Sequence, residues 1–447
     1  MDWTTDWRLR TFLICAFGII KEFRPATPFL TPFLENEPKN FTNVELYSQI
    51  YPFSTYSYLL SMVPIFVITD ALRYKPIVVL EALGLSITWI LLIWGQNVFQ
   101  MQLMQIAFGI ASSSEIAYFS YVYAVVDKRY FHKITSYVRT ATLIGKFFAF
   151  SMAQTLITTG AGTYLLLNQI TFGAVFFALL IAILIPLAPK QRLASNRVSS
   201  AEELDNLDRQ LNESDTQQQS EKHLTIKDRF NSLRSTFNNR TVLIWSIWWS
   251  VSSAGMYQVA NYAQTLWGPM QNEGQFVGNG FVECSNTLLS ALLTFSLQFH
   301  KNGLKNYGDK IFFFSSLISA LLLFGMAVTN NIFVSYAFYI INSSIYHLLI
   351  AAASAIIASE LNVSNYGLVF GFNTFVALLF QTVLTFVVTD SHSLALPIRT
   401  QFYVYSGFFL VIGLIFLPVL LLNCCFSSVR EEPTSTAGRP SKDAEVG

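Results

Sequence analysis

Apolar stretches alternate with short polar breaks along most of this 447-residue chain. Six lie in the first half, near 11–34, 51–69, 76–95, 98–126, 134–158 and 164–187. Six more lie near 241–267, 275–299, 310–328, 332–359, 364–388 and 399–423. Runs of this length predict helices, and roughly 20 apolar residues suffice to cross a bilayer. Between the two sets, residues 190–240 are rich in Ser, Gln, Asn, Asp, Glu and Arg. That composition predicts a largely disordered hydrophilic linker, with a short helix around Ala201–Leu211. The tail after Cys425 is polar as well.

The pattern divides the chain into a six-helix bundle at 1–189, a cytosolic linker at 190–240, a second six-helix bundle at 241–425 and a disordered cytosolic tail at 426–447. Two bundles around a long central loop is the layout of major facilitator transporters, whose substrate site lies near the bilayer midplane between the halves. The expected fold is all-α, with about twelve transmembrane helices. Pro25, Pro28 and Pro32 are expected to break or kink the outer end of the first helix, because proline cannot continue the helical hydrogen-bond ladder.

Composition supports this: 53% of residues are hydrophobic and 12% are charged, which excludes an ordinary soluble domain. A net charge of +1 with no basic aromatic groove gives no indication of a nucleic-acid partner. Four cysteines are too few for a disulfide scaffold, and Cys424 and Cys425 read as hydrophobic residues with palmitoylation as the alternative. No P-loop, H-E-x-x-H, nucleophile elbow or metal cluster is present, so neither an enzyme nor a cofactor is expected. Lys and Arg in the short loops are biased to one side. Arg73, Lys75, Lys128, Arg129, Lys133, Lys301, Lys305 and Lys310 lie on the side of the N-terminus, against Lys39 and Arg399 opposite. By the positive-inside rule both termini are expected in the cytosol. The sequon Asn40-Phe-Thr then falls in the first outer loop as a glycosylation candidate.

Candidate chemistry begins with Glu115, in the middle of the run Met101–Val126. A carboxylate at the centre of a spanning helix costs roughly 2.5–3.5 kcal/mol and usually marks a substrate or proton path. Helical spacing gathers Ser112, Tyr118 and Phe119 near it, a face suited to a cationic heterocycle. A structural ion pair is the competing account. Arg139 and Lys146 share a face of the fifth run. Arg139 is a candidate resting partner for Glu115 or a contact for substrate, and Lys146 is expected to snorkel to an interface. Glu22 and Glu81 are further acids, Glu22 five residues from Thr27 and off its face, and Glu81 in the third run with no assigned partner. His347 is more often a core residue than a proton relay at this kind of position.

The run Phe23-Arg24-Pro25-Ala26-Thr27-Pro28-Phe29-Leu30-Thr31-Pro32-Phe33-Leu34 resembles the first-helix signature of the reduced folate carrier and thiamine transporter family. The likeness extends through Thr69-Asp70 with Leu72-Arg73-Tyr74, Glu115-Ile-Ala-Tyr118, Trp245-Ser-Ile-Trp-Trp249, Asn279-Gly280 and Asn373-Thr-Phe375. It implies a plasma-membrane vitamin carrier working by alternating access, with protons or counter-anions as candidate coupling partners. Folate-type members are similar but carry cations where this chain has Glu115, Asn342 and Gln381. The resemblance therefore points to thiamine or a related cationic heterocycle, with reduced folate the runner-up and a non-transporting vitamin sensor the third reading. It implies substrate contacts from Glu115, Tyr118, Asn279, Gln381 and Arg139. Thr27 and Ser54 stand where thiamine-type members have Glu and Trp, so they belong to the expected site as departures. Asp70 and Arg73 are expected to act in gating through charge pairs, with Arg24 and Glu283 as further gating residues, Glu283 between the bundles.

Overall fold

The computed structural model describes residues 7–35, 37–42, 45–126, 128–188, 233–267, 270, 279–299, 308–361, 366–388, 394 and 396–430. Most of the expected linker, its short helix and the tail beyond 430 lie outside the described residues. Twelve long helices are described: α1 (Trp7–Glu22), α2 (Pro52–Thr69), α3 (Lys75–Trp94), α4 (Val98–Val125), α5 (Phe131–Thr158) and α6 (Tyr164–Leu184), then α7 (Arg240–Trp267), α8 (Asn279–Ser296), α9 (Gly308–Val328), α10 (Ile332–Glu360), α11 (Tyr366–Val388) and α12 (Ile398–Arg430). They form an all-α membrane protein of two six-helix bundles.

Local chemistry sets the helix ends. Asn97, Thr163 and Asn331 cap α4, α6 and α10 by accepting from the backbone N–H of Gln100, Leu166 and Phe333 at 2.9, 3.2 and 2.9 Å. Pro52 opens α2, where a missing N–H costs nothing. The first apolar run breaks after Glu22, just before Pro25, and resumes as a turn at Thr27–Phe29 and a short helix at Leu30–Glu35. The α2–α3 turn holds Arg73 and Tyr74 at φ 59° and 67°, a left-handed conformation that costs non-glycine residues roughly 1–3 kcal/mol each.

Among the described residues, eight helices are long and apolar enough to cross a membrane: α3, α5, α6 and α8 through α12. The other four are α1, which is short, α2, which is apolar but short, and α4 and α7, which carry more polar side chains. These four all contribute to the central cavity. A helix that faces protein and a polar space needs less apolar surface than one that faces lipid.

Neighbouring helices pack within each bundle, and α2 on α11, α5 on α8 and α5 on α10 join the bundles. Two of the tightest approaches require glycine. A Cβ on Gly145 would collide with the Ile19 carbonyl of α1, and one on Gly371 would collide with the Phe66 side chain of α2. Small residues let membrane helices approach closely enough for packing forces to hold them.

Candidate functional site

A cavity lies between the bundles in two adjoining lobes of about 240 and 380 Å³. Both lobes are lined by Glu22, Tyr58, Ser112, Glu115, Lys146 and Tyr257. The smaller lobe adds Arg139, Trp249, Tyr346, His347 and Phe370. The larger adds Arg24, Ser54, Glu81, Asn261 and Gln381, toward the end of the molecule where α2 begins. Together they fall in the size range of small-molecule sites, with aromatic walls and a few polar groups.

The charges are arranged around one residue that sequence reasoning overlooked. Lys21, at the C-terminal end of α1, is only 1% exposed. Its ammonium donates to Glu81 Oε1 at 2.5 Å on α3 and to Glu115 Oε1 at 2.9 Å on α4. It also sits 4.2 Å from the centroid of the Tyr118 ring. Glu22 lies 3.9 Å from the same ammonium and is also 2.5 Å from Arg24 and 3.6 Å from Lys146. A second acid oxygen, Oε2 of Glu81, is buried without a hydrogen-bond partner among the described residues. Three acids (Glu22, Glu81, Glu115) therefore face four cations (Lys21, Arg24, Arg139, Lys146), leaving a formal excess of one positive charge around the cavity. The signal for Lys21 was available: a lysine inside an apolar run, with acids in two other runs, has to find an acid to be tolerated.

The expected site residues divide. Glu115, Arg139, Gln381 and Ser54 do line the cavity, and Glu115 keeps about a third of its side chain exposed there (36%). Tyr118 does not line it: the ring is fully buried, and the face expected to meet a cationic ligand is covered by Lys21. Thr27 is exposed in the turn beyond the break in the first run and is not part of the cavity lining, because the chain leaves the helical path before reaching it. Asn342 is buried in α10, with its amide 3.3 Å from Met256 Sδ. Asn279 opens α8, but its side chain lies outside the described residues; the adjacent Gly280 is where α8 meets Gln154 of α5.

Three pairings differ from expectation. Arg139 is not the partner of Glu115: it donates to Ser354 Oγ of α10 at 2.8 Å and stacks over Phe119 at 4.3 Å, while Lys21 occupies the carboxylate. Lys146 does not run to an interface; it reaches the cavity, drawn by Glu22. Glu283 accepts from Tyr339 at 2.9 Å and Asn286 at 3.2 Å, both in its own bundle, so its hydrogen bonds do not bridge the halves. Arg24 bonds to Glu22 two residues away and lines the larger lobe.

The opposite end of the cavity is closed. Asp70, at the C-terminus of α2, accepts from the backbone N–H of Gly367 and of Leu368, each at 3.0 Å. These are first-turn donors of α11, so the carboxylate caps a helix of the other bundle. Arg73 reaches the carbonyl of Ala188 beyond α6, which departs from a simple acid–base latch. Ser136 of α5 donates to the carbonyls of Thr294 and Phe295 near the end of α8 at 2.8 and 3.0 Å. Tyr123 of α4 packs against Tyr366 and Phe370 of α11 at 5.4 and 5.7 Å between ring centroids.

A space between two bundles, closed at one end by contacts between them, is the architecture of an alternating-access transporter. A model of the reduced folate carrier family matches residues 5–404. The chain belongs to the reduced folate carrier family. It is 47% identical over 419 residues to Folate transporter 1 of Caenorhabditis elegans, covering 92% of this chain and 91% of that one. It is 36% identical over 442 residues to Thiamine transporter 1 of Homo sapiens, covering 92% and 89%. Among solved structures it is similar to the human organic anion transporter MFSD10, with a TM-score of 0.61 at 12% identity over 92% of this chain and 99% of that one. It is also similar to FucP in its outward conformation, with a TM-score of 0.59 at 15% identity over 92% and 98%. At such identities the likeness is one of fold, the major facilitator fold. Family and structural neighbours alike are transporters, not enzymes, and the carrier is a multi-pass membrane protein.

Proposed function

We propose that the carrier moves a reduced-folate-type vitamin across the plasma membrane by alternating access. One observation carries this reading: the cation that Glu115 was expected to find in its substrate is already supplied by the chain, as Lys21. With that pair made, the other charges lining the cavity are Arg24, Arg139 and Lys146 against Glu22, which pairs with Arg24 and Lys146, and Glu115 still turns its exposed part to both lobes. A 2-amino-4-oxopteridine can donate a ring N–H and an exocyclic N–H to one carboxylate, and Glu115 is the acid exposed to do so. The glutamate tail is an anion, and the guanidinium of Arg139 and the ammonium of Lys146 are its natural counterparts. The 47% identity to a folate transporter supports the same assignment.

Thiamine is the second reading. The exposed third of Glu115 suits an aminopyrimidine equally well, and Trp249 and Tyr257 offer ring faces to a thiazolium. The topology that goes with either substrate has both termini in the cytosol and Asn40 outside, where its exposed side chain is available for glycosylation. The closed end at Asp70 then faces the cytosol and the larger lobe faces outward. Protons or counter-anions remain the candidate coupling species.

Competitive uptake tests the assignment. Cells expressing the carrier receive labelled reduced folate with excess unlabelled folate, thiamine or pyridoxine. Saturable folate uptake blocked by folate and not by thiamine is expected. Accumulation of thiamine with no folate uptake would overturn it, and binding without accumulation of any of the three would favour a sensor.

A further inference from the structure

We propose that Lys21 is a specificity-determining residue: an internal cation that sets the sign of the substrate by acting through Glu115. The proposal rests on the reading that the substrate's heterocycle docks at Glu115, and it adds a residue that never touches the ligand. Lys21 is 1% exposed, and its ammonium is engaged by Glu81, Glu115 and the Tyr118 ring face. It therefore acts as a positioning residue. One oxygen of Glu115 is pinned at 2.9 Å, and the exposed part of the carboxylate is turned to both lobes.

The electrostatic role follows from the count. Lys21, Glu81 and Glu115 together carry a formal charge of −1, because one ammonium hydrogen-bonds to two acids, while the more distant Glu22 is matched by Arg24 and Lys146. Without the ammonium the same spot would carry −2, on two carboxylates converging on one vacated position. Such a pocket attracts cations and repels an anionic tail. With Lys21 present, the surrounding Arg24, Arg139 and Lys146 outweigh what remains of the acids. Removing this one side chain takes the whole cavity from an excess of one positive charge to neutral and doubles the negative charge at Glu81 and Glu115, which moves the preference toward cations. The burial of Glu81 is explained by Lys21: the acid is 3% exposed, its first oxygen bonds the ammonium, and its second has no hydrogen-bond partner among the described residues.

The test compares inhibition constants for reduced folate and thiamine in uptake assays normalised to surface protein. It uses the full-length carrier and the variants Lys21→Met, Lys21→Arg and Lys21→Met combined with Glu81→Gln. Lys21→Met should shift the ratio of the two constants toward thiamine by about tenfold or more, as expected for one elementary charge at short range in a protein interior. Lys21→Arg should retain the wild-type ratio. The double variant removes one cation and one acid, restoring the local charge of −1, and should return the ratio to within about threefold of wild type, a shift under 1 kcal/mol. A Lys21→Met ratio equal to wild type overturns the proposal. So does a double variant that keeps the shifted ratio of the single one. If Lys21→Met does not reach the surface, the double variant decides: a near-wild-type ratio supports charge setting, and absence of transport makes Lys21 a structural pair only. Should the wild type prove to carry thiamine, the folate assignment falls, while the direction of the shift between variants still tests Lys21.

Discussion

Removing the Asp70 carboxylate should unlock the closed end of the carrier. Each Asp70 oxygen accepts one backbone N–H of α11 at 3.0 Å, and the side chain is 8% exposed. Hydrogen bonds to a charged group contribute about 1.5–3 kcal/mol each, and a carboxylate at a helix N-terminus adds roughly 0.3–1 kcal/mol. In Asp70→Ala the freed N–H groups regain part of that from water once the end opens. The net loss of the closed state is then about 2–3 kcal/mol, or roughly a 30- to 150-fold change in the equilibrium between the two access states. Asp70→Asn keeps one acceptor oxygen and loses the charge, so it should fall between. Spin labels at the exposed Leu72 and Asn238, in a chain with its four cysteines replaced, report the separation of the bundles at this end. The short-distance population should dominate in the parent and drop sharply in Asp70→Ala, with a weaker apparent affinity for substrate offered from outside. A distance distribution that Asp70→Ala leaves unchanged would refute the assignment of this cap as the gate.

Other expected outcomes follow from the same geometry. Glu115→Gln should raise the KM for uptake at least tenfold, or abolish uptake, with surface protein retained, because it removes a charge-assisted contact worth about 1.5–3 kcal/mol; surface biotinylation alongside initial uptake rates measures both. Gly145→Val should lower the melting temperature of the purified carrier by several degrees and reduce its surface level, since a side chain there meets the Ile19 backbone and α1 cannot stay seated on α5. Asn40→Gln should remove a glycosidase-sensitive mobility shift without altering uptake, because the residue lies on an exposed loop away from the cavity lining.

Much of the fold was legible because membranes punish ambiguity. Apolar runs gave ten of the twelve long helices within about four residues; the first helix stops at Glu22 and not at 34, at the break before Pro25, and the last runs on to Arg430 and not to 423. Glu115 and Arg139 were legible for the same reason: a charge that is costly in hydrocarbon must face something polar, and both line the cavity. What the residues did not disclose is rotation and pairing. Lys21 meets Glu81 and Glu115 only because α1, α3 and α4 converge, over separations of 60 and 94 residues. Tyr118 shares a helix with Glu115, but Lys21 and close packing by neighbouring helices decide whether its ring is a wall or a floor. Asp70 and the start of α11 are almost 300 residues apart (297 to Gly367), and its partners are backbone N–H groups that no side-chain pattern announces. Thr27 entered the expected site only through the resemblance, and the break before Pro25 takes it off the helical path.

The central claim is that internal neutralisation of Glu115 by Lys21 leaves a cavity fitted to an anionic vitamin. Ligand-induced stabilisation of the purified full-length carrier tests it without relying on transport. A ligand at one hundred times its Kd stabilises the folded state by about 2.7 kcal/mol, enough to move a melting curve visibly. Reduced folate should raise the melting temperature in a saturable manner, and thiamine at equal concentration should leave it where it was. Stabilisation by thiamine alone would contradict the account.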